Sequence, residues 1–311
     1  MVSAETLTIE LLDVLFFIFG FIAFVVSIKI YRKWDINSTS QTQYNLEKLS
    51  FLNQTIIKYI FAIKLPLFLF FIFTLDRLSN VITGAMCAVG VVNATEVGLY
   101  LLILKIVNIY LFGLWLVLND IDLKDEKLSW TRVKFGIYIV LFLLLALEIF
   151  LDFYMFSTLD ISKLVSCCGT VFSSTSSSVV SNIFHIPTSL LLTLFYGTFV
   201  FMVILKNNKV IFGILNFLYL FISLISLILF FSTYVYELPT HHCPFCLLQK
   251  DYYYVGYLFY TLLFLGTFSG ISSAVFDIKR YKKFSIIFNF LYLLSVSSYV
   301  AIFYIKNGVF L

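Results

Sequence analysis

Charged residues are scarce in this sequence, and so are the residues that interrupt helices. Only 12% of the 311 residues are Asp, Glu, Lys or Arg, against roughly 25% in an ordinary soluble domain, which excludes a soluble globular fold. With 4 prolines and 13 glycines, long and regular helices are expected. The short polar segments contain neither a P-loop nor a dinucleotide-binding glycine pattern. The net charge of +4 comes from small clusters beside apolar runs, so we expect no nucleic-acid partner.

Hydrophobic residues make up 61% of the chain and occur in runs long enough to cross a hydrocarbon layer of roughly 30 Å. The sequence therefore predicts an all-α, polytopic membrane helix bundle of about eight transmembrane helices, a single membrane domain over 1–311 with the lipid bilayer as its partner. The predicted spans are about 10–30, 56–75, 98–118, 135–156, 186–206, 210–233, 252–275 and 285–305.

Lysine and arginine are distributed unequally between the two sets of loops. One set holds Lys29, Arg32, Lys33, Lys48, Lys124, Lys127, Arg132, Lys134, Lys206, Lys209, Lys279, Arg280, Lys282 and Lys283. The other set holds only Arg77, Lys163 and Lys250. Because positive residues accumulate in cytoplasmic loops, the first set is predicted to be cytoplasmic and both termini extracytoplasmic. All five cysteines and all three histidines then lie on the extracytoplasmic side, where paired thiols persist.

Two segments that precede predicted spans resemble each other and indicate an internal duplication. CAVGVVNATEVGLY begins at Cys87 and CPFCLLQKDYYYVGY begins at Cys243. The pattern favours two parallel four-helix repeats, 1–156 and 186–311, joined by an extracytoplasmic loop 157–185; the alternative is that helix starts at an interface look alike. In this alignment Cys87 would approach the second repeat's cysteine pair in space.

The motif HHCPFC is the strongest candidate for chemistry, and it runs from His241 and His242 to Cys243 and Cys246. Two cysteines at this spacing can exchange disulfides, and a neighbouring imidazolium and helix N-terminus would favour the thiolate. The same residues suit a soft metal ion, Cu(I) or Zn(II). A plain structural disulfide is the third interpretation.

A second thiol motif, SCCG, contains Cys167 and Cys168 in a loop rich in serine and threonine. Adjacent cysteines rarely bond to each other, because the small ring strains the disulfide. The predicted metal-ligand set consists of Cys87, Cys167, Cys168, His241, His242, Cys243 and Cys246. A structural bridge from Cys87 to Cys167 or Cys168 is the alternative.

Ionisable residues also lie inside predicted spans. Lys105 and Glu148 are predicted at matching depths, Asp152 follows Glu148 at i+4, and Asn108 shares a face with Lys105. Such residues are paired or functional, so we expect either a structural Lys105–Glu148 ion pair or a proton relay. Lys58 and Lys64 are instead predicted to extend to the cytoplasmic surface.

At HHCPFC and SCCG the layout resembles membrane thiol–quinone oxidoreductases of the DsbB and vitamin K epoxide reductase type. The resemblance covers only these two short stretches. It implies that Cys243 and Cys246 form a pair close to a quinone, and that Cys167 and Cys168, with Cys87 as an additional candidate, carry the shuttle role.

Three functions follow from these motifs. The first is an extracytoplasmic thiol–disulfide oxidoreductase that passes electrons from a partner thiol protein to a membrane quinone. The second is a binding or assembly protein for Cu(I) or another soft metal, with a metalloprotein as partner. The third is a structural subunit of a membrane complex.

Overall fold

The computed structural model describes residues 3–38, 40–160, 165 and 186–311, and within them the chain is helical with no strand. The helices are α1 (Ala4–Lys33), α2 (Gln41–Ser79), α3 (Ala88–Ala94), α4 (Gly98–Lys124), α5 (Thr131–Thr158), α6 (Thr188–Ile204), α7 (Lys209–Ser226), α8 (Ser232–Tyr236), α9 (Val255–Phe276) and α10 (Lys279–Asn307). A π-helical turn, Leu227–Phe231, joins α7 to α8. Two 3₁₀ turns, Cys246–Leu248 and Lys250–Tyr252, precede α9.

Seven of the described helical segments are long and apolar enough to cross a membrane, with α7 and α8 forming one continuous span from Lys209 to Tyr236. The predicted multi-pass, all-α membrane architecture is therefore confirmed. The remaining predicted span, 186–206, corresponds to α6, which has 17 residues and a rise of about 26 Å. The second predicted span is longer than expected, because α2 begins at Gln41 and continues through the polar segment that precedes the apolar run.

The chain forms two compact units, Met1–Leu78 with Val91–Lys163 and Ser79–Gly90 with Leu164–Leu311. In the first unit, α5 packs against both α1 and α4. Aromatic side chains fill its centre: Phe61 stacks on Phe112 with ring centroids 4.1 Å apart, and Trp115 meets Phe61 edge-on. Large buried rings leave little room for rearrangement, so this core fixes the rotation of each helix about its axis.

In the second unit, α9 packs closely against α7 and α10. Two glycines permit the approach: a Cβ on Gly266 would lie 2.1 Å from Asn289 Oδ1, and one on Gly270 would lie 2.0 Å from Asn216 Cγ. Asn216 Oδ1 accepts hydrogen bonds from Ser285 Oγ at 2.8 Å and from Asn289 Nδ2 at 3.1 Å. The glycines thus bring the helices close enough for a buried polar network to join them.

Replacing Gly270 with alanine is expected to destabilise the second unit by about 1–3 kcal/mol, because the new methyl group must displace the Asn216 amide. Gly197→Ala on α6 is the matched control, since nothing lies within 4 Å of its added Cβ. We expect the control to be neutral or up to about 1 kcal/mol more stable. Thermal unfolding in detergent, followed by circular dichroism, measures both variants. Equal stability of the two would contradict the described packing of α9.

The compact units do not test the predicted repeat halves, 1–156 and 186–311, and residues 79–90 belong to the second unit. The glycines that open α4 and α9 are packed alike. A Cβ on Gly98 would lie 2.2 Å from Val92 O, and one on Gly256 would lie 2.9 Å from Leu247 and Leu248 atoms. In each case the glycine contacts a short helical segment that follows a cysteine. The duplication itself stays a prediction.

Candidate thiol centre and intramembrane charge cluster

Three cysteines of the second unit come together, although 156 residues separate the first from the second. Cys87 directly precedes α3, Cys243 lies in the loop after α8, and Cys246 opens the first 3₁₀ turn before α9. Cys87 Sγ lies 3.5 Å from Cys243 Sγ, and all three sulfur atoms lie within 4.8 Å of one another. No disulfide joins the three residues, since that bond requires about 2.05 Å. We call this group the thiol centre.

The thiol centre is enclosed by the protein. Cys87 and Cys243 are fully buried, and Cys246 is 5% exposed. All three belong to an apolar cluster that includes Leu247 and Phe259. A buried thiol of this kind is shielded from solutes, so its chemistry depends on what the enclosed space admits.

Hydrogen bonds from side chains to backbone carbonyls hold the cysteine loops in place. Tyr236 donates its hydroxyl to the Cys243 carbonyl, and Tyr260 donates to the Pro244 carbonyl at 2.7 Å. The Gln249 amide donates to the Met86 carbonyl at 2.9 Å, which ties the segment after Cys246 to the segment before Cys87. The tyrosine hydroxyls therefore position the chain that carries the sulfur atoms.

His242 has a structural partner. Its Nδ1 lies 3.1 Å from the carbonyl of Ile228, which belongs to the π-helical turn, where the ordinary helical bonding pattern is interrupted. Because a carbonyl oxygen only accepts, Nδ1 carries the hydrogen and donates. Burial lowers the pKa of His242 below its usual range, so the ring is neutral at pH 7.

His241 lies beside the thiol centre without joining its three sulfur atoms. Its ring meets Tyr236 edge-on, with centroids 4.3 Å apart. Its Nε2 is buried and has no hydrogen-bond partner among the described residues. Burial lowers the pKa of His241, an effect that the charge of Cys87 partly offsets.

The predicted metal-ligand set is therefore only partly brought together. Cys87, Cys243 and Cys246 converge as the repeat pattern predicted, whereas no histidine nitrogen belongs to the group within 4.8 Å. Cys167 and Cys168 lie outside the described residues, as does His185, which was expected on the same side. Burial lowers the pKa of both His241 and His242, which disfavours the predicted imidazolium. The predicted helix N-terminus at Cys246 is wrong, because α9 begins only at Val255.

The polar residues predicted inside the first unit do meet. Lys105 Nζ lies 3.0 Å from Glu148 Oε1 and 2.5 Å from Asp152 Oδ2. Asn108 donates to Glu148 Oε2 at 2.6 Å. The Lys105–Glu148 ion pair is thus confirmed, with Asp152 and Asn108 bound to it.

Two further charges complete this group, and sequence reasoning missed them. Lys64 was predicted to reach the cytoplasmic surface, which is wrong: it is 4% exposed and lies 2.6 Å from Asp13 Oδ1 and 3.1 Å from Glu148 Oε1. Asp13 is fully buried on α1. The available signal was weak: Asp13 lies near the start of the apolar run, three residues after Glu10, and a carboxylate within a membrane span usually has a partner. We call Asp13, Lys64, Lys105, Glu148 and Asp152 the charge cluster.

Comparison of the chain with protein-family models, with curated proteins and with solved structures found no match.

Proposed function

We propose that the thiol centre binds one soft metal ion, with Cu(I) as the preferred ion, and that the protein handles this metal at the extracytoplasmic membrane surface. The observation that carries the proposal is the convergence of three buried sulfur atoms within 4.8 Å. The lysine and arginine distribution supports the extracytoplasmic placement. A metalloprotein that receives the ion is the expected partner.

The spacing of the sulfur atoms suits a shared metal ion. A metal–sulfur bond of about 2.3 Å places two sulfur ligands of one ion roughly 3.8–4.0 Å apart. The observed separations, from 3.5 Å between Cys87 and Cys243 to a maximum of 4.8 Å, bracket this value. Small side-chain rotations would therefore bring Cys246 and its two neighbours into coordination.

The donor set favours Cu(I) over Zn(II). Thiolates select soft ions, and three of them satisfy a trigonal Cu(I) ion, whereas structural Zn(II) takes four ligands. The nearest candidate for a fourth ligand is His241, whose buried Nε2 accepts no hydrogen bond from the described residues. Recruitment of His241 would be the signature of Zn(II).

Burial also favours a resident ion over exchange with a protein thiol. Disulfide exchange needs a thiolate to approach a sulfur atom directly, and the most exposed cysteine of the centre is only 5% exposed. Three buried thiolates would be costly without a compensating cation, and a metal ion supplies that charge while it displaces the thiol protons.

The second candidate function is a thiol–disulfide oxidoreductase that passes electrons from an extracytoplasmic thiol protein to a membrane quinone. The 3.5 Å contact between Cys87 Sγ and Cys243 Sγ favours it, because this pair can close to a disulfide with little motion. Cys246 would then resolve the bond from within the Cys-x-x-Cys motif, and Cys167 and Cys168 would deliver the electrons.

Purified reduced protein is expected to retain one equivalent of Cu(I) in an anaerobic titration against a chromophoric Cu(I) chelator. Cys87→Ser should weaken retention by at least about 100-fold, because even outer-shell groups are worth 10–100-fold in metal affinity. The matched control is the double variant Cys167→Ser/Cys168→Ser, which removes two thiols and should still retain one equivalent.

Two results would contradict the metal proposal. One is a wild-type protein that loses all copper to the chelator. The other is a Cys167→Ser/Cys168→Ser protein that loses copper as Cys87→Ser does, which would move the ligands away from the thiol centre. A parallel Zn(II) titration of His241→Ala separates the two ions, because only a four-ligand zinc site needs the imidazole.

A further inference from the structure

The charge cluster in the first unit does not belong to the thiol centre, and the proposed metal site makes no use of it. Its five charged groups alternate in sign along a chain of contacts: Asp13, Lys64, Glu148, Lys105, Asp152. Four helices, α1, α2, α4 and α5, contribute to it. Each side chain is at most 6% exposed.

The charges of the cluster do not balance. Three carboxylates face two ammonium groups, so full ionisation leaves one buried negative charge in excess. The charges that act on Asp152 are those of Lys105, Asp13, Lys64 and Glu148, and thus all come from the cluster itself. An excess charge within a membrane-spanning segment is costly, and a titratable group relieves that cost by becoming neutral.

The depth of the cluster places it well inside the hydrocarbon layer. Lys105 is seven residues from the start of α4, about 10 Å along the helix. Glu148 is ten residues from the end of α5, about 15 Å. Bulk water therefore does not screen the excess charge.

The hydrogen bonds distinguish Asp13 and Asp152, at the two ends of this chain of contacts, from Glu148 at its centre. Glu148 uses both oxygens, since Oε1 accepts from both lysines and Oε2 accepts from Asn108. Asp13 and Asp152 each use one oxygen, while Asp13 Oδ2 and Asp152 Oδ1 are buried and accept no hydrogen bond from the described residues. These two oxygens are where a proton would sit without breaking an existing contact.

We propose that the charge cluster is an intramembrane proton-binding site, which holds one exchangeable proton on the free oxygen of Asp13 or Asp152. A small cavity lined by Lys64, Lys105, Asn108 and Glu148 reaches the centre of the cluster, and it offers room for about one water molecule. When one proton binds, it and the two ammonium groups together balance the three carboxylates, and the net charge of the cluster becomes zero.

A monovalent metal ion is the competing occupant, and the geometry disfavours it. Such an ion would need several oxygen ligands. The ammonium groups of Lys64 and Lys105 already make four contacts with the carboxylate oxygens. Their positive charge would also repel a second cation. A proton needs only one oxygen atom.

Infrared difference spectroscopy on the full-length protein in lipid nanodiscs, in water and in deuterated water at neutral pH, tests the site. The wild type should show one protonated carboxylic acid whose carbonyl band shifts on deuteration. Asp13→Asn and Asp152→Asn should each abolish that band, because either substitution leaves two carboxylates against two lysines. Glu10→Gln, on the same helix as Asp13, is the matched control and should keep the band.

A wild-type spectrum without a protonated carboxylic acid overturns the proposal, and so does a band that survives in both asparagine variants. If the band is absent and sodium ions instead raise the thermal stability of the wild type but not of Asp152→Asn, the site binds a metal cation rather than a proton. The wild-type measurement needs no variant to fold, and either asparagine variant suffices to assign the band. The result does not depend on whether the thiol centre binds copper.

Discussion

Lys105→Met is expected to destabilise the first unit by about 3–5 kcal/mol, which is the usual consequence of removing one partner from a buried ion pair. Methionine fills nearly the same volume as lysine, so the loss reports charge rather than packing. Without the ammonium group, Asp152 loses its 2.5 Å contact and Glu148 keeps only Lys64 and Asn108 as partners. The remaining cluster would hold three carboxylates and one cation.

Tryptophan fluorescence during thermal unfolding in detergent measures this effect selectively. All three tryptophans of the chain, Trp34, Trp115 and Trp130, belong to the first unit, so the signal reports that unit. Lys124→Met is the matched control, because Lys124 pairs with Asp120 on the surface of α4 with both side chains more than half exposed. That control should change stability by no more than about 0.5 kcal/mol. Similar losses of stability in Lys105→Met and Lys124→Met would show that the buried ion pairs contribute no more to stability than the exposed pair does.

Mild oxidation of the metal-free protein is expected to produce a single disulfide within the thiol centre, between Cys87 and Cys243. Their sulfur atoms need to close only from 3.5 Å to about 2.05 Å. The two thiols give up two electrons and two protons to a small oxidant such as diamide, which reaches these buried residues when the cysteine loops open locally. Prior loading with Cu(I) should prevent the reaction, because each thiolate is then bound to the metal. We expect the disulfide in all of the metal-free protein and in none of the protein loaded with Cu(I).

Mass spectrometry of peptides under non-reducing conditions detects the bond, since it joins segments 156 residues apart in sequence. Cys243→Ser should abolish the cross-link, and Cys246→Ser should retain it. A bond between Cys243 and Cys246 would instead identify the Cys-x-x-Cys motif as the oxidisable pair. Oxidation that copper does not prevent would count against the metal proposal.

The sequence predicts the membrane helices well, because run length and hydrophobicity are local properties. It also places Lys105 and Glu148 together, since both depths can be counted from nearby ends of short-connected helices. The convergence of Cys87 on Cys243 followed from the similarity of two interfacial segments. The first two results depend on short stretches of chain and a known rise per residue, whereas the third depends on a similarity between two distant segments.

Lys64 shows why the remaining residues were harder to place. Its depth was judged from a predicted helix start near residue 56, but α2 begins at Gln41 and has 39 residues. Length alone therefore does not fix which turn of α2 lies at the membrane surface. Its burial depends on Asp13, a partner 51 residues away on another helix. Contacts of this kind are set by how helices rotate against each other, which apolar runs do not encode.

The histidines show a different limit of the sequence. Their place in HHCPFC suggested ligands, yet His242 is engaged by the carbonyl of Ile228 in the π-helical turn. A π turn depends on the packing of α7 and α8, and nothing in the apolar sequence LILFF marks it. His241 points to a similar limit, because its contact with Tyr236 depends on the path of the loop between α8 and Cys243.

The separation between Cys87 and its partners also sets an order of events during biosynthesis. At roughly 5–20 residues per second, the 156 residues between Cys87 and Cys243 take on the order of 10–30 s to synthesise. During that interval Cys87 lacks both partners of the thiol centre, whereas Cys167 and Cys168 are synthesised before Cys243. The centre therefore cannot close before Cys243 and Cys246 have been synthesised, and a chain truncated before Cys243 could never complete it. A disulfide between Cys87 and Cys243, or copper bound by all three thiols, would thus mark a chain synthesised at least through α8 and the cysteines that follow it.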